Sequence, residues 1–268
     1  MNAPYYELAI SAIAERDAHN IAAIFELPFV EESGVFLFAF GGKDLAIEDA
    51  ILTIAPEAKF NWTLKDNESW IENYQKSFEP LEIGGFYIRA AWHIARNDLT
   101  EIVIDPELVF GSGHHETTAN CLRAIGALSR EGFLRGKNVL DLGCGSGILG
   151  IAAAKAGAIA TMCDTDLKAV EAARENSAKN GVGAAIKAIY HGSIADRAEN
   201  YDAIFANLVA DIILAIAVKL KNALNSGGYL ILSGIMPRYK ARIYEAFGDL
   251  VLFAETENEW LTIVYRRN

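Results

Sequence analysis

Three polar residues and one glycine-rich turn carry the chemistry that this sequence can support. Asp141 sits in an apolar run, Val139-Leu140-Asp141-Leu142, and Gly143, Gly145 and Gly147 follow directly after it. Glycine lets a backbone bend sharply and approach a ligand, and the alanine-rich stretch after the turn reads as a helix whose free N–H groups face that ligand. This is the pattern of a nucleotide-type cofactor site. Asp164 and Asn207 close two later apolar runs. The carboxylate of Asp164 can accept two hydrogen bonds at once, which suits the paired ribose hydroxyls of an adenosyl group; its other reading is a helix N-cap beside Asp166. Asn207, in Phe205-Ala206-Asn207-Leu208, offers an amide carbonyl and an amide N–H₂ at the mouth of a site, or a cap for the helix that follows.

The glycine spacing leaves the cofactor open. Gly145, Gly147 and Gly150 also satisfy G-x-G-x-x-G, and Asp164 follows at about the 20-residue distance of a dinucleotide-binding acidic residue. A second polar segment, Phe110-Gly111-Ser112-Gly113-His114-His115-Glu116-Thr117-Thr118, reads as a ligand-facing loop. It runs into a helix over Ala119–Leu128, with a threonine as the expected cap. His114 and His115 are adjacent, so on an extended loop they point apart, and there is no His-x-x-x-His helical face; no metal site is expected.

Regular alternation positions these residues. Strands are predicted at Asn138–Leu142, Ala158–Cys163, Ala185–Tyr190, Tyr201–Ala206 and Tyr229–Ser233, with helices at Ile148–Ala156, Leu167–Asn180 and Val209–Leu224. Such a β/α series forms a parallel sheet covered on both faces, and ligands bind beyond the carboxyl ends of its strands, where Asp141, Asp164 and Asn207 fall. Val251–Glu255 and Trp260–Tyr265 read as a terminal hairpin, which adds an antiparallel strand. Upstream, strands at Tyr5–Ile10 and Gly34–Phe40 and helices at Ala18–Glu26 and Asp44–Ile54 suggest a small α+β domain. The continuous Val35-Phe36-Leu37-Phe38 run predicts a strand buried on both faces. Trp70, Tyr74 and Phe78 are spaced as in an amphipathic connecting helix, stopped by Gly84-Gly85, and strands follow at Phe86–Ala91 and Glu101–Ile104. The expected division is a small α+β domain over residues 1–66, a linker helix and connecting strands over 67–100, and a cofactor-binding domain over 101–268.

Composition narrows the function classes. The 268 residues are 52% hydrophobic and 22% charged, as in a soluble globular protein. Residues 1–20 lack the plan of a signal peptide and no run of eighteen apolar residues occurs, so a cytoplasmic protein with no membrane partner is expected. Net charge is −11, from 24 basic and 35 acidic residues, which weighs against direct nucleic-acid binding. Cys121, Cys144 and Cys163 have neither disulfide density nor metal spacing and read as buried thiols.

These residues resemble a known family. Val139–Gly147 is similar to the first motif of the class I S-adenosylmethionine-dependent methyltransferases. The Phe110–Thr118 loop, Asp164-Thr165-Asp166 and Ala206-Asn207-Leu208 together resemble the PrmA family, methyltransferases of large-subunit ribosomal protein L11. Trp70, Phe78-Glu79-Pro80 and Ala91-Trp92-His93 echo it too, and the resemblance runs from about Trp70 to Tyr265. Glu107, Val109, Ser112 and Ala91 depart from the family's usual Gly, Ala, Thr and Ser.

The resemblance implies a Rossmann-like class I methyltransferase sheet with a C-terminal antiparallel strand plus a small N-terminal α+β domain. It implies S-adenosylmethionine as cofactor, held by Thr118, Gly143, Asp164 and Asn207; Asp141, Gly145 and Gly147 complete the expected cofactor site. It further implies a monomer acting on lysine and N-terminal amines of protein L11, docked through the small domain. Asn207 and Phe110 would orient the amine, with no dedicated general base. The alternatives are a lysine methyltransferase for another protein, such as an electron-transfer flavoprotein subunit, a non-catalytic S-adenosylmethionine-binding module, and an NAD-binding oxidoreductase built on Gly145–Gly150.

Overall fold

A computed structural model describes residues 5–25, 27–40, 42–65, 79–104, 113–197 and 199–268. The chain divides into two compact units, Met1–Glu79 and Pro80–Asn268. The expected Trp70–Phe78 helix lies outside the described residues, as do Phe110, Gly111 and Ser112.

The first unit is a β-α-β-β-α-β arrangement: β1 (Tyr5–Ser11), α1 (Glu15–Phe25), β2 (Phe29–Glu32), β3 (Val35–Phe40), α2 (Leu45–Ile54) and β4 (Lys59–Lys65). Its sheet is antiparallel throughout, in the order β2-β3-β1-β4. Asp44 caps α2 by accepting from the Ala46 N–H at 2.9 Å. The run at Val35 alternates instead of being buried on both faces: Phe36, Phe38 and Phe40 are buried, while Val35, Leu37 and Ala39 are half-buried. Ala18 and Ile21 of α1 and Ile51 of α2 share the cluster of those phenylalanines, so the helices cover that face. Apolar residues on the other face simply hid the period of two.

The second unit opens with a small sheet of β5 (Leu81–Ile83), β6 (Phe86–Arg89) and β7 (Thr100–Val103). Its main sheet contains β8 (Asn138–Leu142), β9 (Ile159–Asp164), β10 (Ile186–His191), β11 (Tyr201–Asn207), β12 (Leu224–Ile235), β13 (Val251–Glu257) and β14 (Leu261–Arg266). The order is β10-β9-β8-β11-β12-β14-β13, parallel from β10 to β12 and antiparallel at the terminal hairpin. After β8 the chain steps one way to β9 and β10, then returns to the other side with β11. A crevice opens beyond the carboxyl ends of β8 and β11 for that reason.

Among the described residues, six α-helices accompany these strands: α3 (Glu116–Arg130), α4 (Ile148–Lys155), α5 (Leu167–Lys179), α6 (Ala210–Ala215), α7 (Ala217–Ala223) and α8 (Lys240–Phe247). They bury two apolar clusters. Ile125 and Ile151 belong to one with Phe205 and Ile231; Ile213, Leu220 and Phe247 belong to the other with Leu140 and Leu232. The single helix expected over Val209–Leu224 is two helices that meet at Ile216, with no glycine or proline to mark the break. The strand expected from Tyr229 begins at Leu224, because the Gly227 N–H donates to the Arg267 carbonyl and the Arg267 N–H to the Gly228 carbonyl. Among the described residues, no helix is long and apolar enough to cross a membrane.

Candidate functional site

The glycine turn after β8 is stitched to its neighbours by backbone and carboxylate bonds. Gly143, Gly145 and Gly147 have φ of +68°, +51° and +80°, the left-handed region that glycine adopts at no steric cost. The Gly143 and Cys144 N–H groups both donate to the Cys163 carbonyl of β9, at 2.9 and 3.0 Å. Gly147 is the left-handed N-cap of α4 and carries no capping side chain; the Ile148 N–H donates instead to the Ser146 hydroxyl at 3.4 Å.

Asp164 holds the turn from the side. Its Oδ2 accepts from the Gly145 N–H at 2.9 Å and its Oδ1 from the Asp166 N–H at 3.0 Å. Asp166, and not Asp164, caps α5, accepting from the Lys168 N–H at 2.9 Å. The carboxylate of Asp164 therefore keeps lone pairs for a ligand.

Asp141 lies deeper. It is 1% exposed, and its Oδ2 accepts from the Gly150 N–H at 2.8 Å, tying the end of β8 to the first turn of α4. Burial pushes its carboxyl up to about 7, against the Gly150 N–H bond and with the Asp164 charge adding to the rise. A carboxyl raised above its unfolded value of about 3.9 favours the fold at low pH, and that contribution is lost as pH rises from about 4 to about 7. Asp141→Asn keeps an acceptor for Gly150 and removes the charge. Its unfolding free energy should therefore decline less steeply with pH, by up to about 1.4 kcal/mol per pH unit between about pH 5 and 7. Equal slopes in urea titrations of the two proteins would contradict this.

The third wall comes from α3. Its N-cap is His115 in place of the expected threonine: the ring Nδ1 accepts from the Thr117 N–H and lies 2.8 Å from the Thr117 hydroxyl. Thr117 and Thr118 consequently fall in the first turn and are buried. The Asn207 amide at the end of β11 donates to the Thr118 hydroxyl at 3.3 Å. Thr118, Asp141, Gly143, Gly145 and Asn207 thus line one cleft together with Ile148. Asp164 and Gly147 flank the same turn, so seven of the eight sequence-predicted residues converge here; the eighth, Phe110, lies outside the described residues.

The enclosed part of the cleft is about 20 Å³, so a nucleoside-sized ligand would lie over the glycine turn instead of inside it. The residues fit an adenosyl cofactor there: a helix N-terminus, a turn of left-handed glycines without side chains, and a carboxylate with free lone pairs.

Sequence reasoning missed the support behind Asn207. The Ser233 hydroxyl at the end of β12 lies 2.7 Å from that of Thr262 and donates to the Thr117 carbonyl at 3.3 Å. Gly234 follows, with φ of +79° and its backbone so close that a Cβ would stand 2.6 Å from the Leu208 carbonyl oxygen. At the hairpin turn, the Asn258 amide donates to Glu116 and the Trp260 ring lies 5.4 Å from that of His115. A Ser-Gly pair at a strand end was a usable signal for the first of these. The three cysteines are free and buried, as expected.

Comparison with known proteins shows the family. The family model described as "Ribosomal protein L11 methyltransferase (PrmA)" matches residues 36–268, so the likeness begins well before Trp70. A "Ribosomal protein L11 methyltransferase" of Wolinella succinogenes is 43% identical, over 89% of each chain. One from Campylobacter hominis is 37% identical, over 98% of this chain and 92% of its own. The crystal structure of a ribosomal protein L11 methylase from Lactobacillus delbrueckii subsp. bulgaricus aligns with a TM-score of 0.64 at 29% identity, over 71% of this chain and all of its own. These relatives are methyltransferases, and the oxidoreductase reading of Gly145–Gly150 finds no support among them. The chain belongs to the PrmA family of ribosomal protein L11 methyltransferases.

Proposed function

We propose that the protein methylates lysine and N-terminal amines of ribosomal protein L11, using S-adenosylmethionine. The observation that carries this is the Asn207–Thr118 pair standing beside a left-handed glycine turn that Asp164 braces. The relatives' names supply the protein substrate.

In this reading Asp164 receives the ribose hydroxyls and the Gly143–Gly147 turn lets the cofactor lie against backbone. Bound there, S-adenosylmethionine supplies a methyl group on a cationic sulfur. The chain's task is then to hold a neutral amine in line with it, about 3 Å away, which supplies much of the rate. Asn207 donates one N–H to Thr118, which fixes the amide; its oxygen accepts an N–H of the substrate amine and so aims the amine's lone pair at the methyl group. Phe110 is assigned the same orienting task. Burial of the amine next to a positive charge lowers its pKa and favours the uncharged form. Asp141 is no candidate base, being fully buried and bonded to Gly150; solvent takes the proton.

Asn207→Ala should lower kcat/KM about a hundredfold and weaken cofactor binding far less. A single-turnover assay beside calorimetry separates the two effects, and an equal loss in both would reassign Asn207 to cofactor binding alone. Calorimetric titration with S-adenosylmethionine and with NAD tests the cofactor directly: binding of the first only is expected, and binding of NAD alone would end this reading.

Residues 1–66 are assigned to docking the protein substrate, residues 67–100 to connecting, and residues 101–268 to the cofactor. A cytoplasmic monomer without direct nucleic-acid contact is in keeping with the net charge of −11.

A further inference from the structure

A groove of about 750 Å³ runs along the side of α3, against the terminal hairpin. We infer that it receives the stretch of polypeptide substrate adjoining the methylated amine; this rests on the reading of a protein amine methyltransferase.

The groove begins where the cofactor cleft ends. Gly113, just before α3, and Glu116 in its first turn, two residues from Thr118, line its mouth. A Cβ at Gly113 would stand 3.6 Å from Ile148, which lines the cleft, so one short piece of backbone separates the two. The Asn258–Glu116 bond and the Trp260–His115 ring contact hold the hairpin against this mouth.

Its length suits an extended chain. From Ala119 to Leu128 the helix wall rises about 14 Å, which about four extended residues span. The small side chains Ala119, Ala124 and Ala127 leave room along that wall, and Thr262 and Val264 of β14 line the groove beside it. The opposite wall is β13, at the open edge of the sheet.

The polar groups fit main chain better than a small apolar ligand. Asn120 on the groove wall is 5% exposed, and its amide N–H₂ has no hydrogen-bond partner among the described residues. Its oxygen accepts from Arg123 at 2.6 Å, which fixes the amide's orientation. A buried donor left without an acceptor is costly, and a peptide carbonyl seated at this wall is the acceptor it lacks. Glu82 at the rim is paired with Arg96, so Glu116 at the mouth is the carboxylate that favours a lysine-bearing segment over an acidic one.

Filling the groove from either wall tests the assignment. In Ala127→Trp and in Thr256→Trp, labelled protein L11 should bind the S-adenosylhomocysteine-loaded enzyme about tenfold more weakly by fluorescence anisotropy. Calorimetric affinity for S-adenosylhomocysteine should stay within about twofold, because neither side chain lines the cofactor cleft. Thermal unfolding identifies a variant that has lost its fold, in which case the other decides. Unchanged L11 binding in a folded variant overturns the groove assignment while leaving the methyltransferase reading intact. If the unmodified enzyme ignores L11 and methylates another protein, the substrate assignment falls, and the same comparison with that protein decides the groove.

Discussion

Asp164→Ala should weaken S-adenosylmethionine binding about a hundredfold or more. Two hydroxyls donating to a carboxylate are charge-assisted bonds, each about 1.5–3 kcal/mol, and their joint loss reaches that range. The substitution also frees the Gly145 N–H, which Asp164 accepts at 2.9 Å, so the turn loses its brace along with its ligand contact. Asp164→Asn separates these effects. Its amide oxygen can still accept from Gly145 at the cost of the Asp166 N–H bond, whereas its neutral head group recognises the ribose less strongly, so it should lose less stability than Asp164→Ala and still bind the cofactor poorly. Calorimetry on both variants checks this. Unchanged affinity in Asp164→Ala would mean that the ribose contact lies elsewhere.

Gly234→Ala should cost about a hundredfold in kcat/KM with the fold retained, although Gly234 touches neither cofactor nor amine in this account. The residue has φ of +79°, and the new methyl would stand 2.6 Å from the Leu208 carbonyl oxygen and 3.2 Å from the Asn207 side-chain oxygen. Both obstacles belong to the residues that present the amide, and the nearer is backbone, which cannot swing aside as a long side chain can. A displacement of the order of 1 Å in a positioning group is enough for that loss. The expected signature is a fall in kcat with S-adenosylhomocysteine affinity largely kept, since the glycine turn follows β8 and Asp164 ends β9 while Gly234 lies on β12. Parent-like kinetics would show that Asn207 tolerates the shift and does not aim the amine.

What could be read in the sequence was local. Asp141, the glycines after it and Asp164 each sit at a strand end followed by a turn, and a strand end, a turn and a helix start leave marks within a dozen residues. β8 and the hairpin strands were legible on the same ground, and the antiparallel β14 joins β12 as the pattern suggested. The cap of α3 was not, because a histidine is outside the usual set of capping residues and two threonines stood next to it. The dual role of Asp164 and Asp166 was ambiguous for a similar reason: two carboxylates two residues apart can each accept from the same helix start, and only geometry divides the work. Ser233 and Gly234 are marked locally only as a Ser-Gly pair at a strand end; their partners Thr117, Thr262 and Leu208 are distant in the chain, so the contacts themselves leave no local mark. Strands β2 and β5 escaped as short runs; β4 escaped although Phe60, Trp62 and Leu64 alternate with polar residues at the period of two.

The most direct measurement is transfer of labelled methyl groups from S-adenosylmethionine to purified ribosomal protein L11, with the modified positions mapped by mass spectrometry. Label on lysine or N-terminal amines of L11, reduced by Asn207→Ala and by Asp164→Ala, is the predicted result. Label on another protein but none on L11 would contradict the substrate, and a protein that binds S-adenosylmethionine but methylates nothing in a ribosomal-protein mixture would contradict the enzyme itself.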